Sequence, residues 1–260
     1  MRDTDLDVLK LRLEEIKAMG WIKNRRPGNV GGVGNTLEDL LDVDENNMQL
    51  PDFGEWELKS QRADTGSLLT LFHCEPKPRN ARIVPKILLP KYGWRHQEAG
   101  TAYPESERSF RQTINAVSYS DRGFKVNVDR KNERVFISFD FSKIDDRHAE
   151  WRDSVKNGVG TQDIAPNPFW TFQDISGKLN KKLKNLMYVK AASKKIDGEE
   201  YFKYEEIEAY IDPTLEQFLV LMERGMIYVD FDARTGHNHG TKFRIRPAGK
   251  SELYQTHIKV

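Results

Sequence analysis

The sequence has few of the residues that identify several common classes of protein. Its single cysteine, Cys74, excludes an internal disulfide and a cysteine-rich zinc site. The best apolar run, at residues 218–222, falls far below the roughly 18 residues that a membrane-spanning helix needs. The first seven residues, three of them aspartates, lack the apolar core of a signal peptide. We therefore expect a soluble, cytoplasmic protein that does not act at a membrane.

Net charge is nearly absent as well, because 41 lysines and arginines oppose 40 aspartates and glutamates. This balance excludes a histone-like polycation, but the charges are segregated along the chain. Eight acids and no lysine or arginine lie between Glu38 and Glu57, whereas residues 176–196 contain seven lysines and no acid. Residues 234–250 add five basic residues and two histidines, again without an acid. The pattern suits an enzyme with a polyanionic substrate and a cationic cofactor, or simply two solvated basic faces.

Apolar periodicity predicts a fold of the α/β class, of the mixed α+β kind, with helices around a central mixed sheet. Helical spacing occurs near residues 4–20, 36–41, 176–186 and 212–225, with Thr4, Asn35 or Thr36, and Asp212 as the predicted N-caps. Alternation predicts strands near 56–58 and 68–72, and three hairpins near 124–139, 187–204 and 227–245.

The most informative chemistry lies in one short acidic segment. Glu57 and Lys59 are two residues apart, so on a strand their side chains leave the same face, while Trp56 and Leu58 enter the core. A turn before this strand brings Asp52 toward the same point. Two carboxylates can bind Mg²⁺, and the ammonium can orient water and offset charge on a phosphate. The alternative is a surface hairpin with an ion pair.

Several further motifs occur in a fixed order along the chain. They are Gly34-x-Thr36-Leu37-Glu38-Asp39-Leu40-Leu41, Glu45-Asn46, Pro51-Asp52, Glu57-x-Lys59-Ser60, Leu68-Leu69-Thr70-Leu71-Phe72, Phe169-Trp170-Thr171-Phe172, Leu179-Asn180-Lys181-Lys182-Leu183-Lys184, Tyr201-Phe202-Lys203-Tyr204 and His237-x-His239-Gly240-Thr241-x-Phe243-Arg244-Ile245. From about Gly28 to Arg246 the sequence resembles the MvaI/BcnI family of type II restriction endonucleases, which are relatives of the repair nickase MutH.

This resemblance implies a PD-(D/E)XK/MutH-like fold with two lobes around a DNA cleft. It implies Mg²⁺-dependent cleavage of double-stranded DNA at short sites of the form CC-centre-GG, with Mn²⁺ as a substitute. Asp52, Glu57 and Lys59 would be catalytic, with Asp52 and Glu57 as metal ligands and Glu38 as a further catalytic glutamate. We expect a catalytic lobe at residues 1–165 and a DNA-recognition lobe at 166–260. The enzyme would be a monomer without an obligate protein partner, would cut one strand per binding event, and would have a cognate DNA methyltransferase in its host.

Histidines and arginines near the C-terminus are suited to reading guanine N7 and O6 in the major groove. The residues expected to read bases are His73, Asp230, Arg234, His237, His239 and Arg244, and those expected to contact the DNA backbone are Arg62, Lys181, Lys182 and Lys242. Zinc binding by His237 and His239 is the competing interpretation, but the sequence offers no obvious third ligand. The chain also departs from relatives that carry Asp-x-Arg where it has Asp230-Phe231-Asp232. Either Arg234 replaces that arginine, or the specificity differs.

Two other functions remain open at this point. The first is a MutH-like strand-nicking repair endonuclease, which would need a partner protein and leave unmodified duplex largely uncut. The second is a non-catalytic DNA-binding protein. The intact set of Asp52, Glu57 and Lys59 argues against the second, because a binder of a polyanion has no need for a buried acidic cluster.

Overall fold

The computed structural model describes residues 5–29, 31–43 and 51–260, so the predicted N-cap Thr4 and the motif Glu45-Asn46 lie outside the described residues. The described residues confirm the mixed α+β class. Their α-helices are α1 (Asp5–Ala18), α2 (Gly32–Leu40), α3 (Ala149–Val159), α4 (Phe172–Lys182), α5 (Leu215–Glu223) and α6 (Lys250–Leu253), with a π-helical segment at Val84–Tyr92. No helix in this part of the chain is both long enough and apolar enough to cross a bilayer.

The strands are more numerous than the sequence predicted. They are β1 (Ile22–Lys23), β2 (Trp56–Arg62), β3 (Leu69–His73), β4 (Trp94–Arg95), β5 (Arg108–Ile114), β6 (Arg122–Asp129), β7 (Arg134–Ile144), β8 (Phe169–Thr171), β9 (Asn185–Ile196), β10 (Glu199–Pro213), β11 (Ile227–Arg234), β12 (His237–Ile245) and β13 (Tyr254–Lys259). The three predicted hairpins correspond to β6–β7, β9–β10 and β11–β12.

The chain divides into two compact units, each made of separated segments. The first unit comprises Met1–Ser67, Ser176–Gln217 and Lys250–Val260, and the second comprises Leu68–Ile175 and Phe218–Gly249. This division by contacts differs from the predicted boundary at residue 165, because strands that are distant in sequence pair with one another. The assignment of catalysis and DNA recognition to separate lobes stays a prediction.

The first unit is built on a mixed sheet in the order β1-β10-β9-β2, with β13 pairing with β10. Strand β2 runs parallel to β9, which places Lys59 opposite Tyr188, and the other pairs are antiparallel. One core cluster includes Leu9, Leu13 and Ile16 of α1 together with Leu58 of β2. Burial on this side of the sheet fixes which residues of β2 face the core and which remain available for chemistry.

The second unit contains two sheets. One has the order β3-β12-β11-β5-β4 and the other the order β6-β7-β8. Along β11 and β12, buried residues alternate with partly exposed ones, as expected for a sheet with one solvated face. The buried side includes Phe231 and Phe243, whose rings pack near Trp170. The indole Nε1 of Trp170 donates a hydrogen bond to the Cys74 carbonyl at 2.8 Å.

Three predicted helix starts are wrong. Helix α2 begins at Gly32, so the predicted caps Asn35 and Thr36 lie inside it, and the buried hydroxyl of Thr36 accepts a hydrogen bond from Arg25 N. Helix α4 begins at Phe172, after Thr171 and Asp174 form a reciprocal capping box. Helix α5 begins at Leu215, after Thr214 Oγ1 accepts a hydrogen bond from Gln217 N at 3.2 Å, because β10 extends through Asp212.

A buried tyrosine attaches α2 to the sheet of the first unit. The Tyr204 hydroxyl on β10 donates a hydrogen bond to the Val33 carbonyl in the first turn of α2, at 2.8 Å. Tyr204 is 1% exposed, and this burial raises the pKa of its hydroxyl. The bond therefore helps to hold the helix that carries Glu38.

We expect Tyr204→Phe to lower the free energy of unfolding by about 1 kcal/mol, the usual net contribution of one hydrogen bond. Urea denaturation followed by circular dichroism measures this difference. Tyr201→Phe is the matched control, because Tyr201 lies on the same strand and is partly exposed. Its effect should stay below about 0.5 kcal/mol. Equal losses in the two variants would contradict the role assigned to the Tyr204 hydroxyl.

Candidate functional site

Strand β2 carries a buried carboxylate beside an ammonium group. Glu57 is 0% exposed, and its Oε1 accepts a hydrogen bond from Lys59 Nζ. Both side chains leave the same face of β2, as the two-residue spacing predicted, and the Lys59 side chain is 24% exposed. Trp56 and Leu58 are buried on the same strand. A titratable carboxyl group thus lies at a fully buried position of the sheet.

A tight turn places Asp52 against the backbone of β2. The Asp52 carboxylate accepts a hydrogen bond from Leu58 N at 2.9 Å. Gly54 makes the turn with a φ of +55°, and a Cβ there would come within 2.1 Å of Asp5 Oδ2. The position therefore favours glycine for both its backbone conformation and its lack of a side chain. The turn brings Asp52 to the segment of β2 that carries Glu57 and Lys59.

A second lysine reaches the same carboxylate from α4. Lys182 Nζ lies 3.4 Å from Glu57 Oε1. Lys182 was predicted to contact the DNA backbone, and in the structure it pairs with the predicted catalytic glutamate. The reason is its position in the last turn of α4, next to Leu183, which is fully buried. Its neighbour Lys181 is exposed.

The surroundings of the Glu57 carboxyl group raise its pKa. Burial raises the pKa of Glu57, the charge of Asp52 raises it further, and Lys59 and Lys182 only partly oppose this shift. Oε2 of Glu57 is buried and has no hydrogen-bond partner among the described residues. A buried carboxylate oxygen without a donor is costly, and a hard divalent cation would satisfy it. Asp52 and Glu57 therefore fit a metal ion chemically, although the described residues contain no cluster of three or more potential ligands.

Glu38 lines a cavity next to this cluster. The cavity has a volume of about 260 Å³, and its lining includes Glu38 and Gly34 of α2 together with Lys59, Ser60 and Arg62 of β2. The Ser60 hydroxyl is buried and has no partner among the described residues. The structure thus brings the predicted additional glutamate to the same cavity as Lys59. It also adds Ser60, which was not among the predicted site residues.

In the second unit, the solvated face of the β11–β12 sheet is a network of ion pairs. Arg244 Nη1 lies 3.2 Å from Asp230 Oδ2, and Arg244 Nη2 donates to the Leu68 carbonyl at 2.8 Å. Thr113 Oγ1 on β5 donates to Asp230 Oδ1 at 2.8 Å. Two predicted base-reading residues, Asp230 and Arg244, are therefore paired with each other.

A neighbouring acid, Asp232, is held by two cations. Arg111 Nε of β5 lies 2.9 Å from Asp232 Oδ1, and Lys242 Nζ of β12 lies 3.2 Å from Asp232 Oδ2. Burial raises the pKa of Asp232, but the hydrogen bond to Lys242 and the charges of Lys242 and Arg111 together hold it below its usual value. Asp232 is therefore ionised at neutral pH. Arg111 was not among the residues predicted to contact DNA.

Arg234 and the histidines occupy different surroundings. Arg234 Nη1 lies 3.1 Å from the buried Glu107, and its guanidinium stacks over the Tyr103 ring. His237 and His239 are exposed near the β11–β12 turn, with ring centroids 4.2 Å apart. A zinc site here finds no support, since no group of three potential ligands occurs in the described part of the chain.

The remaining predicted contacts lie on both units. His73 is exposed at the end of β3, where it pairs in register with Lys242. Arg62 is paired with Glu200 at 2.9 Å and lies over the Phe202 ring. A cavity of about 580 Å³ in the second unit is lined by residues that include Arg79, Arg82, Arg234, His237 and Asn238. The cations proposed for DNA phosphates are thus mostly held by acids of the same unit.

Comparison with known proteins identifies the family of this chain. Among protein families, the MvaI/BcnI restriction endonuclease family matches residues 10–254. The solved complex of restriction endonuclease MvaI with cognate DNA substrate has 26% sequence identity, covers 100% of this chain and 99% of that chain, and has a TM-score of 0.79. The structure of restriction endonuclease MvaI in the absence of DNA has 25% identity, covers 100% of each chain, and has a TM-score of 0.54. No curated protein matches the chain significantly.

These similarities confirm the PD-(D/E)XK-type fold and the resemblance noted in the sequence. The family match covers far more than half of the chain and includes the segments that carry Asp52, Glu57 and Lys59. The chain belongs to the MvaI/BcnI restriction endonuclease family and is a site-specific deoxyribonuclease.

Proposed function

We propose that this type II restriction enzyme is a Mg²⁺-dependent monomer that cuts a short CC-centre-GG-like site in double-stranded DNA. It hydrolyses one strand per binding event and leaves 5′-phosphate ends. It acts in the cytoplasm together with a cognate DNA methyltransferase. The observation that carries this proposal is the buried Glu57 carboxylate, with Lys59 on Oε1 and an unpartnered Oε2 beside Asp52.

Each candidate catalytic residue of the first unit has its own proposed role in phosphodiester hydrolysis. Members of this family generally use divalent metal ions. Asp52 and Glu57 would hold Mg²⁺. The cation would offset the negative charge of the phosphoryl oxygens and lower the pKa of water. Lys59 would orient the attacking water and offset negative charge that develops on the phosphate. Glu38 would contribute a further carboxylate from the wall of the shared cavity. The attack is in line with the 3′ oxygen, which leaves as a hydroxyl group.

Lys182 adds a positioning role to this set. Its ammonium lies on the same Glu57 oxygen that accepts from Lys59, at 3.4 Å. Two ammonium groups on Oε1 hold the carboxylate in one orientation and favour its ionised form. Oε2 is then left for the cation. We therefore infer that Lys182 prepares Glu57 for metal binding.

Substitutions in β2 test the catalytic assignment. We expect Lys59→Met and Glu57→Gln to slow single-turnover cleavage by at least 100-fold, since the first removes the ammonium that offsets charge on the phosphate and the second removes a charged metal ligand. DNA binding, measured by fluorescence anisotropy, should remain within a few-fold of wild type. Glu55→Gln is the matched control, because Glu55 is exposed and only two residues away. A near-normal cleavage rate in Lys59→Met would overturn the assignment.

The adjacent lysines of α4 provide an internal comparison. Lys182→Met should slow cleavage tenfold or more, equivalent to about 1.4 kcal/mol of activation free energy. It should also raise the Mg²⁺ concentration needed for half-maximal rate, because Glu57 loses one of its two ammonium partners. Lys181→Met should instead weaken binding and reduce its salt dependence, with little change in the rate of bound enzyme. The inference about Lys182 fails if both variants lose affinity alike and keep the wild-type cleavage rate and Mg²⁺ requirement.

Digestion of a supercoiled plasmid tests the overall function. With Mg²⁺, a nicked circle should accumulate before the linear product, because one catalytic cluster cuts one strand at a time. Sequencing of the ends then gives the site and the cut position. Ca²⁺ should support binding with little cleavage, because its coordination is larger and looser, and EDTA should abolish cleavage.

The same experiment separates the alternatives. Direct linearisation, with a rate that rises with the square of enzyme concentration, would show a dimer rather than a monomer. Nicks that are never converted to breaks would favour a MutH-like nickase. Specific binding without cleavage in any divalent metal would refute catalysis.

A further inference from the structure

The solvated face of the second unit's larger sheet presents an arginine that the proposed DNA contacts do not include. Asp230 and Asp232 on β11 are two residues apart and lie on the face opposite the buried Phe231. Across the antiparallel pairing with β5, Asp232 is opposite Arg111, and Asp230 is opposite Thr113. Directly opposed residues project on the same side of a sheet. Arg111 therefore belongs to the same surface as the predicted base-reading residues.

Exposure and contact geometry distinguish Arg111 from the other arginines of this surface. Its side chain is 61% exposed, whereas that of its partner Asp232 is 18% exposed. Arg244 is more covered, at 28%, and uses both terminal nitrogens on Asp230 and the Leu68 carbonyl. The ion pair of Arg111 uses Nε. In a guanidinium group, Nη1 and Nη2 form the edge opposite Nε, so this edge is not the one that contacts Asp232.

Asp232 is well suited to fix this guanidinium. Its second oxygen is held by Lys242 at 3.2 Å, so the carboxylate is anchored from β12 while it contacts β5. A long flexible side chain loses conformational entropy when it binds, and an anchored carboxylate removes part of this cost in advance. Asp232 thus orients the Arg111 guanidinium before DNA binds. Its Nη1 and Nη2 groups can then act as two parallel hydrogen-bond donors above the sheet.

We propose that Arg111 is a base-reading residue whose Nη1 and Nη2 donate to O6 and N7 of one guanine in the major groove, with Asp232 as its positioning residue. This inference rests on the proposed function, because it requires a specific site that contains guanine. End-on pairing of arginine with guanine O6 and N7 is the commonest specific contact between proteins and DNA bases. A phosphate contact by the same arginine is the alternative, and it carries no sequence information.

The decisive experiment removes one acceptor atom from the DNA. Once the site is known, each guanine is replaced in turn by 7-deazaguanine, which lacks N7, and affinity is measured in Ca²⁺. Wild type should lose about tenfold at the guanine that Arg111 reads, a loss equivalent to about 1.4 kcal/mol. Arg111→Ala should bind the natural site at least tenfold more weakly and should be insensitive to 7-deazaguanine at that one position. Such non-additivity identifies a direct contact.

Two further variants keep this test interpretable. Arg111→Lys retains the charge but loses the fork, so it should keep the salt dependence of binding and lose the response to 7-deazaguanine. Asp232→Asn should reduce that response without removing it. Arg130→Ala is the matched control, since Arg130 lies in the turn after β6, its Nε contacts Glu223 at 2.9 Å and its side chain is 44% exposed. It should leave the profile unchanged.

The outcomes separate this inference from the proposed function. If wild type neither cuts nor discriminates among sequences, the proposed function itself is wrong. If wild type discriminates but Arg111→Ala keeps the full 7-deazaguanine profile, only the role of Arg111 is wrong. If Arg111→Ala weakens binding to specific and nonspecific duplexes equally and Arg111→Lys restores it, the contact is to phosphate and the inference is overturned.

Discussion

The buried carboxylate of Glu57 is the constraint on which the first unit depends. A charge without solvent is tolerated only where partners stabilise it, and removal of one partner from such a group is costly. Two lysines meet this requirement at Oε1, one from β2 itself and one from the end of α4. The parallel pairing of β2 with β9 and the packing of α4 are therefore parts of the same arrangement. Among the described residues Oε2 has no hydrogen-bond partner, and this oxygen is the one that we propose for the cation.

The second unit uses carboxylates in a different way. Asp230 and Asp232 are partly covered by the cations that they hold, and Arg111 extends from its acid toward solvent. Acids on a surface that would bind a polyanion reduce nonspecific attraction, because they repel phosphate. They would also hold the guanidinium groups in defined orientations, so that hydrogen bonds rather than net charge would decide which sequence is bound. Such a surface exchanges some affinity for discrimination between base pairs.

Spacing and alternation in the sequence predicted the features that depend on neighbouring residues, but not those that depend on contacts between distant segments. The two-residue spacing of Glu57 and Lys59 predicted their shared face, and alternation predicted the hairpin β11–β12, because both depend on residues close in sequence. The contact of Lys182 with Glu57 depends on how α4 packs against β2, more than a hundred residues away in the chain. Arg111 is likewise opposite Asp232 only through the register of β5 with β11. The failed prediction at Asp212 has a related cause, since pairing of β10 with β13 extended the strand through a position that resembled a cap.

The near-zero net charge of the chain has a structural explanation in these ion pairs. A protein that neutralised DNA phosphates with solvent-exposed lysines alone would need a large excess of basic residues, and its binding would depend steeply on salt. Here Arg62, Lys182 and Lys242 each have an acid within 3.4 Å in the same unit. A cation that already has an acidic partner contributes less to long-range attraction but is held in a defined position. The balance of 41 basic and 40 acidic residues is therefore compatible with DNA binding, because acids of the same unit hold cations such as Arg62 and Lys242 that are proposed to contact the substrate.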